Sequence, residues 1–212
     1  MVLKDLTFVG IGNDPAKDVQ LKSVREKEFK WAAGSFYLFY PVYKQCVVAF
    51  GKNESSRLSS TLDGGFKTPA ICKVDAPEDT KFTPVAVYGG GSYSISKGTQ
   101  GELYETGELP SCPTVSEFKK MSLKEKARLI SIAPQSLVLV LEDNTIWYKG
   151  GSEEYHFPND EGKGSATQWK LWAEKEKEEK IVDLASGSAF TLFVTEGGNV
   201  WASGNRFLQA IG

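Results

Sequence analysis

The residues whose types and spacing could support a reaction begin with a serine and a lysine three positions apart. The segment Ser94-Ile95-Ser96-Lys97 matches SxxK, the motif in which serine acts as a nucleophile beside lysine. That motif requires the start of a helix, whereas this segment is predicted to be a hairpin strand. The partner motifs SDN and KTG are absent from the sequence. The match therefore does not predict catalysis.

Two other segments could bind a phosphate or a cation. The run of three glycines before Ser92 is not followed by GKS, GKT or a predicted helix, so it does not predict a phosphate loop. The acidic residues Asp160 and Glu161 follow Asn159, but the alternating ligand spacing of a calcium loop is missing. His156 is the only histidine, and any histidine-dependent triad would need it. We interpret His156 as a surface residue of a loop.

The cysteines do not predict a metal site. Cys46, Cys72 and Cys112 are widely spaced and form no CxxC pair, whereas structural zinc needs about four ligands with local spacing. We therefore predict reduced thiols, no metal and no cofactor. Cys46 begins an apolar strand and is expected to be buried. Cys72 and Cys112 lie between the strands, and we expect them to be alkylated first.

Length and composition favour a β-rich globular protein. The chain has 212 residues, 41% of them hydrophobic, 12% aromatic and 25% charged, with 21 glycines and a net charge of −2. Abundant glycine with abundant aromatic residues is typical of strands joined by tight turns. The charge balance shows no footprint for nucleic acid, and no apolar run is long enough to span a membrane. We predict an intracellular protein, cytoplasmic or nuclear, that does not bind nucleic acid or membrane.

The chain repeats four times a pattern of a strand, small residues, a second strand, a turn, a third strand and a glycine. Hairpins are predicted near 29–51, 84–107, 129–151 and 181–204, separated by inserts 52–80, 108–128 and 152–180. In each hairpin two marker residues are 17 positions apart, and the successive intervals are 56, 44 and 53. The markers are Gly34 and Gly51, Gly90 and Gly107, Pro134 and Gly151, and Gly187 and Gly204.

Such a repeat predicts an all-β fold, a β-propeller with about four blades, because one small sheet cannot bury both its faces. In the third hairpin an apolar run predicts a strand that is covered on both faces. That run comprises Leu137, Leu139, Val140 and Leu141, with Ile146 after the turn. The insert 52–80 reads as a long loop. The segments 116–128 and 166–180 are predicted to be short helices.

The final repeat resembles the regulator of chromosome condensation family. The resemblance rests on Ala185-Ser186-Gly187, Thr195-Glu196-Gly197-Gly198, Val200-Trp201-Ala202-Ser203-Gly204-Asn205 and Gln209-Ala210-Ile211-Gly212. It implies a propeller of about seven blades of about 50 residues each. We therefore expect a partial or open propeller within a single domain, 1–212. The remainder would come from a longer chain or from another subunit.

Three classes of function follow from these features. The first is a non-catalytic scaffold that binds other proteins, a small GTPase or a larger assembly through propeller faces and inserts. The second, implied by the resemblance, is guanine-nucleotide exchange on a small GTPase, as the founding member performs on Ran. The third, an ordinary enzyme, is not predicted because no catalytic constellation is present. The candidate interface residues are Trp169, Trp172, His156 and Asp160, since tryptophan is enriched at binding hot spots. The alternative is that Trp169 and Trp172 pack on the edge of a blade.

Overall fold

The computed structural model describes residues 29–35, 38–43, 46–51, 66–72, 74–75, 82–110, 112–134, 136–150, 170–173, 179–188 and 190–204. These residues form β-strands and connecting turns, and no helix occurs among them. In particular, none of the described segments is a helix that could cross a membrane. The prediction of an all-β fold is confirmed.

The described strands are short, between two and seven residues each. They are β1 (Phe29–Ser35), β2 (Leu38–Tyr43), β3 (Cys46–Gly51), β4 (Phe66–Ile71), β5 (Val74–Asp75), β6 (Pro84–Gly89), β7 (Tyr93–Gly98), β8 (Leu103–Gly107), β9 (Val115–Lys120), β10 (Ala127–Ile132), β11 (Ser136–Leu141), β12 (Ile146–Gly150), β13 (Lys170–Ala173), β14 (Ile181–Ser186), β15 (Phe190–Thr195) and β16 (Val200–Gly204).

The strands form four sheets, and apart from β5 consecutive strands of a sheet are neighbours in it. The orders are β1-β2-β3-β4, β5-β9-β8-β7-β6, β10-β11-β12-β13 and β14-β15-β16. The two-residue strand β5 pairs in parallel with β9. Three hairpin strands and a fourth outer strand thus form the repeated unit, and the last sheet has three described strands.

The predicted helices are wrong in their described parts. Within 116–128 the chain continues β9, which pairs with β8, and within 166–180 it forms β13, which pairs with β12. The predicted loop 52–80 likewise contributes β4, which pairs with β3, and β5. The third strand of each repeat leaves one row of backbone N–H and C=O groups unpaired at the edge of its sheet. An extended segment that lies along this edge forms hydrogen bonds with that row. This tertiary gain outweighs the local preference for a helix.

The register of the third hairpin differs by one residue from the sequence prediction. Ala133 N donates to Ser136 O just as Gly90 N donates to Tyr93 O in the second hairpin. Ala133, rather than Pro134, therefore occupies the glycine position. The closing glycine is Gly150, with φ 78°, and the structural intervals between the last three hairpins are 43 and 54 residues.

In the second, third and fourth hairpins, the turn between the second and third strands contains a left-handed residue. Gly101 and Gly198 have φ of 84° and 82°, and Asn144 occupies the same position with φ 69°. Each backbone N–H at this position donates to the carbonyl three residues earlier. Glycine and asparagine are the residues that adopt this conformation most readily. The repeat therefore requires these residue types at this position.

By its contacts the chain divides into two compact units. The first contains β1–β6, β7 from Ser94 onward, β8 and β9. Its core joins residues of β3 to residues of β6, β8 and β9, and the Phe82 and Tyr104 rings lie 4.4 Å apart. The buried members of this core are Val47, Ala49, Cys72, Val87, Tyr104 and Phe118.

The second unit contains β10–β16 together with Gly90–Tyr93 and Glu108–Thr114. Every residue of β11 is buried, which confirms that this strand is covered on both faces. Side chains of the last sheet join those of the third sheet in one apolar core. Its buried members are Val138, Val140, Ile146, Tyr148, Ile181 and Phe193, and Leu129 and Leu184 pack against them.

Asn144 links the β11–β12 turn to the segment that enters β14. Its Oδ1 accepts hydrogen bonds from Ile181 N at 3.0 Å and from Arg128 Nη2 at 3.1 Å. Its Nδ2 donates to the backbone carbonyl of Glu179 at 3.2 Å. One asparagine thus satisfies two backbone groups at the start of the next sheet.

The Glu179 side chain contacts the turn between β15 and β16. Asn199 Nδ2 lies 2.9 and 3.0 Å from its two carboxylate oxygens, and the Thr195 hydroxyl also donates to it. These hydrogen bonds, that from Thr195 foremost, lower the pKa of the Glu179 carboxyl. The segment before β14 is therefore fixed to the turns of two hairpins.

Replacing Asn144 separates its turn conformation from its hydrogen bonds. We expect Asn144→Ala to lower the free energy of unfolding by about 1–3 kcal/mol, because Ile181 N and Glu179 O lose their partner. Asn144→Gly keeps the left-handed conformation and should retain the part of the stability that depends on φ. Urea denaturation of both variants measures the two contributions. Equal stability of Asn144→Ala and the parent chain would contradict this role.

Candidate functional site

The residues that could have carried chemistry lie in positions unsuited to it. Ser94 is buried within β7, and Lys97 is three residues further along the same strand. Because side chains alternate along a strand, residues three apart project from opposite faces, and these two cannot form a nucleophile and its base. The three glycines end β6 and lead into β7 rather than into a helix.

Within the described part of the chain, no group of three or more His, Cys, Asp or Glu residues could hold a metal ion. The predicted interface residues His156, Asp160 and Trp169 lie outside the described residues. Trp172 lies in β13, between the paired residues Leu171 and Ala173, so the backbone there is extended rather than helical. The helix predicted over 166–180 is therefore absent at Trp172.

The cysteines differ from the prediction at Cys72. Its side chain is part of the core of the first unit, and its backbone N donates to Val47 O at 2.8 Å. Burial raises the pKa of the Cys72 thiol to about 12. Cys112 is half-buried, and neither of these two cysteines forms a disulfide. The expectation that Cys72 is alkylated early is therefore wrong, because this part of the insert packs in the core of the first unit. The side chain of Cys46 is not among those that the structure describes.

Alkylation should distinguish these thiols. The thiolate is the reactive form, and a pKa of about 12 keeps Cys72 protonated at pH 8. We expect iodoacetamide to modify Cys112 at least about 100-fold faster than Cys72 in the native protein. In denaturant the two rates should converge, which serves as the control. Modification of Cys72 first, as read by peptide mass spectrometry, would contradict its place in the core.

Sequence reasoning missed one apolar surface on the last sheet. Ala185 pairs with Leu192, Leu192 with Ala202, and Val194 with Val200, so these five apolar residues share one face, and Asp183, the partner of Val194 in β14, lies at the edge of the same face. We call this set the open face. Val200 is 65% exposed, Ala185 and Ala202 are exposed, and Leu192 and Val194 are half-buried.

The opposite face of the same sheet is covered. There Leu184 pairs with Phe193, and Phe193 pairs with Trp201. Phe193 is 1% exposed in the core of the second unit, whereas Trp201, on the outer strand β16, is 45% exposed. The sequence of β15 contained a signal for this surface, because large apolar residues lie on both of its faces. Phe193 lies on one face between Thr191 and Thr195, and Leu192 and Val194 lie on the other.

Comparison with known proteins identifies the fold. Neither a protein-family profile nor a curated protein sequence matches the chain. Yeast RCC1 (Prp20), solved with Kap60 bound, superposes with a TM-score of 0.66 at 13% identity over 95% of this chain and 49% of that one.

Two further structures agree. Prp20p from Saccharomyces cerevisiae, described with its binding properties to Gsp1p and histones, gives a TM-score of 0.63 at 12% identity over 82% of this chain and 43% of that one. Human WBSCR16 gives 0.53 at 13% identity over 88% of this chain and 65% of that one.

The chain thus spans less than two thirds of the length of each of these structures. Identities this low establish the fold rather than the function. The four sheets have the RCC1-like β-propeller fold, in a partial or open form.

Proposed function

We propose that this protein is a non-catalytic scaffold that binds other proteins through the faces of its sheets and the segments between them. The observation that carries the proposal is the distribution of exposed apolar residues. Among the described residues, the large hydrophobic side chains that are exposed are Val182, Val200 and Trp201, and all three belong to the last sheet. Exposed large apolar side chains concentrated on one sheet in this way are typical of protein-binding surfaces.

The structural neighbours support protein partners. Prp20p has binding properties to Gsp1p and histones, and yeast RCC1 (Prp20) binds Kap60. These are properties of those proteins, on a fold that presents rigid sheets joined by variable segments. For this chain we place candidate contacts in the insert 152–180, at His156, Asp160, Trp169 and Trp172, together with Trp201. Tryptophan combines a large contact area with a low entropic cost of ordering.

Affinity capture with the full chain tests this proposal. Partners retained by the parent chain should be lost with the double variant Trp169→Ala/Trp172→Ala, which tests the insert 152–180, or with Trp201→Ala, which tests the last sheet. Lys124→Ala, at an exposed position between β9 and β10, is the surface control. With a purified partner, the tryptophan variants should raise the dissociation constant at least about tenfold. Unchanged partners and affinities in both tryptophan variants would reject these contacts.

A second candidate is nucleotide exchange on a small GTPase. The observation that favours it is the likeness to Prp20p, which has binding properties to Gsp1p. Exchange requires no acid–base residues, because an inserted segment displaces the nucleotide. Release of fluorescent GDP from a panel of small GTPases, with and without the chain, separates this activity from simple binding. A release rate that the chain leaves unchanged throughout the panel would leave the scaffold as the remaining function.

A further inference from the structure

We propose that the open face of the last sheet binds the first sheet, β1–β4, of a second copy of this chain. The contact would be head to tail, and each copy would supply the blade that follows the other copy's last sheet. The inference concerns the face of β14–β16 opposite Phe193 and Trp201, so it does not depend on the contacts proposed above at Trp201 and in the insert 152–180.

The open face of the last sheet corresponds to a face of the third sheet that is covered. The third and fourth hairpins are related by 54 residues. Val138, Val140, Ile146 and Tyr148 therefore correspond to Leu192, Val194, Val200 and Ala202. In the third sheet all four are buried in the core of the second unit. The same positions in the last sheet form the open face, where Val200 is 65% exposed.

The first unit repeats this arrangement. Gly51 and Gly204 close equivalent hairpins, so Val47 and Ala49 correspond to Val200 and Ala202. Val47 and Ala49 are buried, with exposures of 1% and 0%, in one cluster with residues of the following sheet. Both covered examples thus have the same occupant, which is the next sheet of the repeat.

The covering residues define the chemistry of that occupant. Against the third sheet they are Ile181, Leu184 and Phe193. Against the first sheet, Val87 stands at the position that corresponds to Leu184. A sheet that covers the open face must therefore carry uncharged, mainly apolar residues at these positions.

The first sheet of the chain meets this requirement. Phe29 pairs with Tyr43 and Ala32 with Pro41, which places Phe29, Ala32 and Pro41 at the positions of Ile181, Leu184 and Phe193. None of these residues is charged, and no described sheet precedes β1–β4. A head-to-tail contact between copies can close into a ring.

Analytical ultracentrifugation of the whole chain over a range of concentrations tests the proposal. We expect reversible dimers for the parent chain. Val200→Asp places a charge at the most exposed of the large residues of the open face and should raise the dissociation constant at least about tenfold. Its fold should persist, because Val200 is exposed within its own sheet. Ser122→Asp adds the same charge at an exposed position outside the sheets and should leave association unchanged.

The occupant is identified by a complementary pair of variants. Pro41→Asp should also abolish self-association, and an equimolar mixture of Val200→Asp and Pro41→Asp should form one-to-one dimers through the single intact contact. Circular dichroism confirms that each variant remains folded, and Ala32→Asp replaces Pro41→Asp if it does not. A monomeric parent chain overturns the proposal. The proposal is also overturned if Val200→Asp associates as the parent chain does. It is overturned as well if neither Pro41→Asp nor Ala32→Asp changes the association, since the open face would then pair with itself.

Discussion

Phe193→Ala is expected to lower the free energy of unfolding by about 3–5 kcal/mol, the range for removing a fully buried aromatic side chain. Phe193 is 1% exposed and packs in the cluster with Val138, Val140 and Tyr148. The loss combines the transfer free energy of the ring with the cavity left between the third and last sheets. Denaturant unfolding followed by circular dichroism measures the effect.

The neighbouring strand provides a matched control for Phe193. Trp201 is its direct partner in β16 and lies on the same face, but it is 45% exposed. Trp201→Ala removes a larger side chain and should nevertheless cost less, about 1–2 kcal/mol, because part of its surface is already in water. If the two variants were equally destabilised, burial would not be the quantity that separates them.

Leu139→Ala should lower the free energy of unfolding by about 2–5 kcal/mol. Leu139 is 0% exposed at the centre of β11, where it pairs with Ile130 on one side and with Trp147 on the other. A strand covered on both faces cannot collapse into the space that a deleted isobutyl group leaves. The cavity contribution should therefore be near its upper value.

Leu139→Met supplies the control for volume. This change keeps the side-chain size with a more flexible chain and should cost less than about 1.5 kcal/mol. A loss below about 0.5 kcal/mol for Leu139→Ala would mean that β11 is not in the core. Because Leu139 and Phe193 belong to the same unit, the double variant also reports whether the two sites are coupled.

The hairpins of this fold are predictable from the sequence because their determinants are local. The turn residues Gly101, Asn144 and Gly198 adopt a conformation that few residue types tolerate, and they recur at the repeat intervals. The apolar run in β11 specifies burial on both faces in the same way. The exact register of the third hairpin was less predictable, because Ala133 and Pro134 are both compatible with the position that Gly90 and Gly187 occupy in the second and fourth hairpins.

The fourth strands were not predictable from the local pattern. Residues 115–120 and 170–173 overlap the segments predicted to be helices, and they become strands because β8 and β12 offer unpaired backbone groups. Cys72 is a similar case, since its position in a polar insert suggested exposure and the packing around Val47 buries it. Pairing with a distant edge is a property of the assembled sheets rather than of the segment.

By itself the sequence of this protein determines an all-β repeat, its hairpins and a resemblance that correctly indicated the propeller fold. These features depend on residue type and on spacing within about 20 positions. Which apolar face is covered depends on the sheet that stacks against it, which only the tertiary structure decides. Val140 and Val194 occupy equivalent positions in β11 and β15, yet one is buried and the other half-buried. The difference arises because β14–β16 covers the first, while no described sheet covers the second.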